Sequence, residues 1–195
     1  CMPDATTVKI EFTGADGKTT TMKEGSALKA GEIIDASFMS KKALCEFFET
    51  EIANAKEQNI LLSLHLKATM MKISDPIMFG HCVTTFFKPV FDKHAALFDS
   101  LGVNVRNGFA DVYDKLESAT ADQKAEVMAD IDACYESRPW LAMVDSGKGI
   151  TNLHVPSDVI VDASMPCVVR DSGMMWNKDD ELEDTKCLIP DRCYA

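Results

Sequence analysis

The stretch Ile60-Leu61-Leu62-Ser63-Leu64-His65-Leu66-Lys67 sets the fold class. It is short, strongly apolar and directly follows a helical pattern, as a strand buried in a parallel or mixed sheet does. Leu62, Leu64 and Leu66 fall on one face; Leu61, Ser63, His65 and Lys67 fall on the other. Upstream, Leu44, Phe47, Phe48, Ile52 and Ala55 recur at helical spacing. That spacing predicts an amphipathic helix over 42–58, with Ser40 as its N-cap and Asn59 as its end. Downstream, Ser74-Asp75-Pro76 is a helix-start signal, because proline fits the first helical turn. The helix is expected to reach about Phe87, to kink or break at Pro89, and to continue from Val90 to Leu101 before Gly102.

The alternation continues further out. Residues 109–116 read as a short helix. Thr120 with Gln123 forms a capping box for a helix that runs to about Tyr135 and buries Val127, Ile131 and Cys134. Leu141-Ala142-Met143-Val144-Asp145 and Val159-Ile160-Val161-Asp162 read as two further strands, and the acidic stretch 178–186 as a surface loop or hairpin. Near the start, residues 8–12 alternate apolar and polar like a half-buried strand, Ala15-Asp16-Gly17-Lys18 supplies a turn, and residues 19–22 return as a hairpin partner. Strands alternating with helices give an α/β fold, with a mixed or largely parallel sheet flanked by helices. With no repeat, low-complexity tract or internal linker, residues 1–195 are read as one α/β segment. Because Cys1 stands where an initiating Met belongs and the chain stops at Cys193-Tyr194-Ala195, it is expected to be a piece of a longer protein.

Composition narrows the function. The 195 residues carry 20 Lys+Arg against 31 Asp+Glu, a formal net charge of −11. With arginine only at 106, 138, 170 and 192, no basic patch is available to neutralise phosphates, so nucleic acid is not an expected partner. No run of ~18 apolar residues exists to span a membrane, and no membrane partner is expected. The seven cysteines have long, irregular spacings and no CxxC pair, which reads as reduced thiols in a cytoplasm or an organelle matrix. His65, His81, His94 and His154 form no HxxxH or HExxH set and read as packed or solvated histidines. Ser146-Gly147-Lys148-Gly149 is no P-loop, and GxGxxG and GxSxG are absent.

Two strands end in a charged residue: Lys67 after the first, Asp162 at the last. In open α/β sheets ligands bind beyond the carboxyl ends of strands. A carboxylate there suits a divalent cation, and a lysine beside such a cation has its pKa lowered toward use as a base. The alternative is that Lys67 reaches solvent as its strand leaves the core, and Asp162 caps the following turn.

Three strings carry a resemblance. They are Ser63-Leu64-His65-Leu66-Lys67-Ala68-Thr69-Met70-Met71-Lys72-Ile73-Ser74-Asp75-Pro76-Ile77-Met78-Phe79-Gly80-His81; Met143-Val144-Asp145-Ser146 with the run from Gly149-Ile150-Thr151-Asn152-Leu153-His154 to Val161-Asp162-Ala163-Ser164-Met165-Pro166; and Ile189-Pro190-Asp191 with Tyr194-Ala195. Together they resemble the monomeric type of NADP-dependent isocitrate dehydrogenase, most weakly between about Lys93 and Pro139. Gly147 departs from it, standing where an acidic residue is expected. The resemblance implies part of a large central domain like that of isocitrate and isopropylmalate dehydrogenases, within a chain several times longer. It implies oxidation and decarboxylation of isocitrate to 2-oxoglutarate, with NADP as hydride acceptor and Mg or Mn as metal. Within the matching motifs it implies that Lys67 is the catalytic lysine and Asp162 one metal ligand. The remaining ligands, the coenzyme pocket and a catalytic tyrosine are expected in the rest of the longer chain, so this segment alone is expected to be inactive. A stand-alone, non-catalytic α/β module of the same ancestry is the alternative.

Overall fold

A computed structural model describes residues 1–35, 38–66, 74–154 and 165–190. They divide into two compact units with the boundary between Met39 and Ser40, each taken by itself.

The first unit is a β-ribbon. Strand β1 (Thr6–Thr13) pairs antiparallel with β2 (Thr19–Leu28), closed by the expected turn and interrupted by register shifts around Ile10. Gly17 sits in this turn at φ 77°, a left-handed conformation that only glycine adopts freely. The ribbon differs from its expected half-burial. Ile10, Phe12 and Met22 are 56%, 61% and 67% exposed, because a two-stranded ribbon supplies no second layer to cover either face.

The second unit is the mixed α/β body. Helix α1 (Lys41–Gln58) starts where Ser40 Oγ accepts the Ala43 N–H at 3.3 Å. It stops at Asn59, whose left-handed backbone (φ 53°) returns its N–H to the last helical carbonyls. Leu44, Phe48, Ile52 and Ala55 are buried as the periodicity requires, whereas Phe47 is 40% exposed. Strand β3 (Leu61–Leu64) follows and is wholly buried. Helix α2 (Ser74–Phe86) leads into α3 (Lys88–Lys93) and α4 (Ala95–Leu101), so the chain breaks both near Pro89 and at His94. Gly80 in α2 lets Val105 of the next turn approach to 3.1 Å from where a Cβ would stand. Helix α5 (Ala110–Leu116) precedes α6 (Ala121–Ser137), whose Thr120–Gln123 capping box is present as read.

Strands β4 (Met143–Asp145) and β5 (Ile150–Thr151) form a small antiparallel pair. After α7 (Met165–Arg170), β6 (Met174–Trp176) and β7 (Leu182–Leu188) make an antiparallel hairpin. The stretch 178–186 was expected as a surface loop or hairpin. The hairpin is there, but β7 is also the middle strand of the order β3-β7-β6, parallel to β3. Its charges are accommodated locally: half-buried Lys186 pairs with Glu51 and Asn54 of α1. The expected strand over 159–162 lies outside the described residues.

The core is aromatic. Phe87 stacks on Phe109 with centroids 3.7 Å apart and 10° between planes, and meets Phe86 and Tyr135 edge-on. Phe48, Phe79, Phe86, Phe87 and Phe109 are all fully buried. Lys56 of α1 donates to the Glu136 and Arg138 carbonyls at the end of α6, and Arg138 pairs with Glu49, so α1 holds the C-terminal end of α6. Among the described residues the cysteines are thiols rather than disulfides, and no helix is long and apolar enough to cross a membrane.

Candidate functional site

Lys67 and Asp162 both lie outside the described residues. What the structure places is the framework leading to each: β3 with His65 and Leu66 before Lys67, and the turn 149–154 before the segment containing Asp162.

On its 140–143 side, β3 begins a parallel ladder. The Leu62 N–H donates to the Trp140 carbonyl, and the Ala142 N–H donates back to the Leu62 carbonyl, both at 2.9 Å. The next rung is different. The Leu64 N–H goes to the side-chain Oδ1 of Asn152 at 2.6 Å, while the Ala142 carbonyl accepts the Asn152 backbone N–H at 2.8 Å. On its other edge the His65 N–H donates to the Leu188 carbonyl, one step past the β3–β7 ladder. Ser63 Oγ and His65 Nε2 share a buried 2.8 Å hydrogen bond.

The histidines are in packed roles, as their spacing suggests. His154 Nδ1 accepts the Thr151 N–H at 2.9 Å, so this nitrogen carries no proton. The ring stacks on Tyr113 at 5.3 Å, and burial pushes its pKa down to about 4, keeping it neutral. Burial raises Tyr113 to about 12. Burial, with Lys41 and Arg106, lowers His81.

One group of described residues has the composition of a cation site: His94, Glu126 and Asp130, whose ligating atoms lie within 4.8 Å of one another. Lys93 already neutralises it, its ammonium 2.8 Å from Asp130 and 2.9 Å from Glu126. His94 Nε2 donates to the same Asp130 carboxylate at 2.6 Å, and the hydrogen bonds from Lys93 and His94 hold Asp130 below the usual carboxylate range. An imidazole and a resident ammonium do not suit Mg or Mn, which take oxygen ligands. The group ties the α3–α4 junction to α6. Asp162 offers the right donor, a hard carboxylate, for such an ion.

A surface hollow of about 250 Å³ lies between Met143, Val144, Asp145, Ser146, Trp176 and Asp180. Both its carboxylates are engaged. Ser146 donates to Asp180 at 2.8 Å, and Lys148 pairs with Asp145 at 3.0 Å and lowers its pKa.

Sequence reasoning picked out the two residues at the ends of this framework and missed Asn152, the residue that joins its parts. An asparagine after a strand reads as a turn former, and nothing local announces a ladder rung.

The family model for monomeric isocitrate dehydrogenase matches residues 1–195, the whole chain. The chain belongs to the monomeric isocitrate dehydrogenase family. Among relatives, isocitrate dehydrogenase (NADP) 2 of Colwellia maris is 62% identical over 191 residues, covering 98% of this chain and 26% of its own length. Isocitrate dehydrogenase (NADP) of Azotobacter vinelandii is 56% identical over 188 residues, covering 96% and 25%. Isocitrate dehydrogenase (NADP) 2 of Mycobacterium tuberculosis is 51% identical over 191 residues, covering 98% and 26%. The chain thus spans about a quarter of the length of these relatives.

Proposed function

We propose that the complete protein carrying this chain oxidises isocitrate to 2-oxoglutarate and CO2, with NADP as hydride acceptor and Mg or Mn as metal. The family match over residues 1–195 supports this, and Lys67 and Asp162 stand inside the strings that carry the resemblance. Lys67 would take up the proton of the C2 hydroxyl as C2 loses hydride; the resulting ketone would take up the electron pair left when the adjacent carbon loses its carboxylate as CO2, and that carbon would then regain a proton. NADP, when bound, would supply the hydride acceptor. A bound divalent cation supplies positive charge where negative charge develops on the C2 oxygen. Asp162 would be one of the ligands that hold it, with the others supplied by the rest of the longer chain.

The test is isocitrate-dependent reduction of NADP by the complete polypeptide. Lys67→Ala should lower turnover by about 10²–10⁴-fold, the usual share of a general acid–base, with folding nearly unchanged. Asp162→Asn should raise the metal concentration needed for half-maximal rate. Near-normal turnover in the first variant, or unchanged metal dependence in the second, removes that residue from its role. A complete polypeptide of only 21.5 kDa, the mass of this chain, would instead favour a non-catalytic module.

A further inference from the structure

We propose that Asn152 is a positioning residue of the active site. It holds the strand end that runs into Lys67 in fixed register with the segment that runs into Asp162. This rests on the activity proposed above.

The observation is the interrupted ladder. In a parallel ladder that continued past Leu62, the Leu64 N–H would donate to the Ala142 carbonyl. The two groups do not meet. Asn152 stands between them and serves both, its backbone N–H on Ala142 and its side-chain oxygen on Leu64. One residue therefore replaces one rung and splices three segments: β3, residues 140–143 and the 149–154 turn. Lys67 is three residues beyond Leu64, and Asp162 is ten beyond Asn152. The splice joins these two lines of chain a short way before their functional residues.

Asparagine suits the place. It carries an acceptor at the reach of a ladder carbonyl without bringing a formal charge into a buried site, and Asn152 is 1% exposed. Its Nδ2 finds no partner among the described residues. The contact that Asn152 makes with β3 runs through its side-chain acceptor. Alanine or leucine would leave the Leu64 N–H buried with nothing to bond. Aspartate, which burial this deep favours in its protonated, neutral form, would keep an acceptor of the same reach.

A residue that orients a catalytic group is worth about 10–100-fold in activity, and a displacement of about 1 Å costs on the order of 10²-fold. The experiment uses the complete enzyme, with kcat, KM for isocitrate and hydrogen exchange of the peptide covering 61–66 measured for wild type, Asn152→Ala and Asn152→Asp. Asn152→Ala should lose about 10–100-fold in kcat with KM changed by less than about threefold, and its 61–66 amides should exchange faster while those of α6 do not. Asn152→Asp should recover kcat to within about fivefold of wild type. Unchanged kcat in Asn152→Ala, equal losses in both variants, or unaltered exchange over 61–66 would each overturn the proposal. If Asn152→Ala does not fold, Asn152→Asp decides alone: a loss beyond about fivefold overturns it, and a smaller one upholds it. A wild-type enzyme that does not reduce NADP with isocitrate removes the activity itself. An active wild type with indifferent variants removes only the role of Asn152.

Discussion

The β1–β2 ribbon and the α/β body use similar apolar residues to opposite effect. Phe12 is 61% exposed on the ribbon, while Phe48, Phe86 and Phe87 in the body are fully buried. Alternation along a strand sets which side chains share a face, but burial needs a second layer. The body supplies that layer by laying helices over β3 and stacking Phe87 on Phe109. The ribbon has one layer and many backbone hydrogen bonds. Sequence pattern alone does not distinguish the two cases; the count of packed layers does.

The comparison predicts a graded set of effects, each read by urea or thermal unfolding of the complete polypeptide. Phe87→Ala opens a cavity among the Phe86, Phe109 and Tyr135 rings and should cost about 3–5 kcal/mol; a loss below about 1 kcal/mol would mean the aromatic core is not close-packed. The next effect depends on pH. His154 is neutral in the folded chain with a pKa of about 4, while an unfolded chain protonates near 6.5. The unfolded state therefore binds more protons in this window, and stability present above 6.5 is lost as pH falls toward 4. Between pH 7 and pH 5 the histidine should account for about 2 kcal/mol of lost stability. His154→Gln should flatten the profile by that amount, and an equal slope in variant and wild type would show the ring is not held neutral. Thr120→Ala removes the capping-box hydroxyl of α6 and should cost about 1 kcal/mol. On the ribbon, Phe12→Ser should stay within about 0.5 kcal/mol. A larger loss there would mean that chain beyond these residues covers the ribbon, and the contrast would dissolve.

What was legible in the sequence was local. Ser40 and Asn59 bounding α1, the Thr120–Gln123 box and the first hairpin were all readable, because each signal lies within a few residues of the structure it specifies. Phe47 was misassigned to the buried face because it lies at that face's edge, where a small rotation of the helix decides exposure. Strand β7 was only half seen. Glu183, Asp184 and Lys186 read as surface, and their place beside β3 comes from pairing with a distant strand and from Glu51 and Asn54, which take up Lys186. Lys67 and Asp162 were singled out from strand ends and motif strings, and both fall outside the described residues. Asn152 stood inside one of those strings unnoticed, since its role appears only when residues 64, 142 and 152 are brought together.

The pairing of Leu61 with Thr185 also sets a clock on synthesis. Strand β3 leaves the ribosome with α1 but without the neighbour that fills its edge, and β7 follows only after helices α2 to α7. At about 5–20 residues per second the wait is about ten seconds. Throughout it, Leu61, Leu62, Leu64 and Leu66 form an unpaired apolar edge able to recruit the same strand from a neighbouring nascent chain. Crowded polysomes and slow translation are therefore the conditions under which this sequence is most exposed to misassembly, and a holding chaperone acting on the nascent chain would have β3 as its natural target.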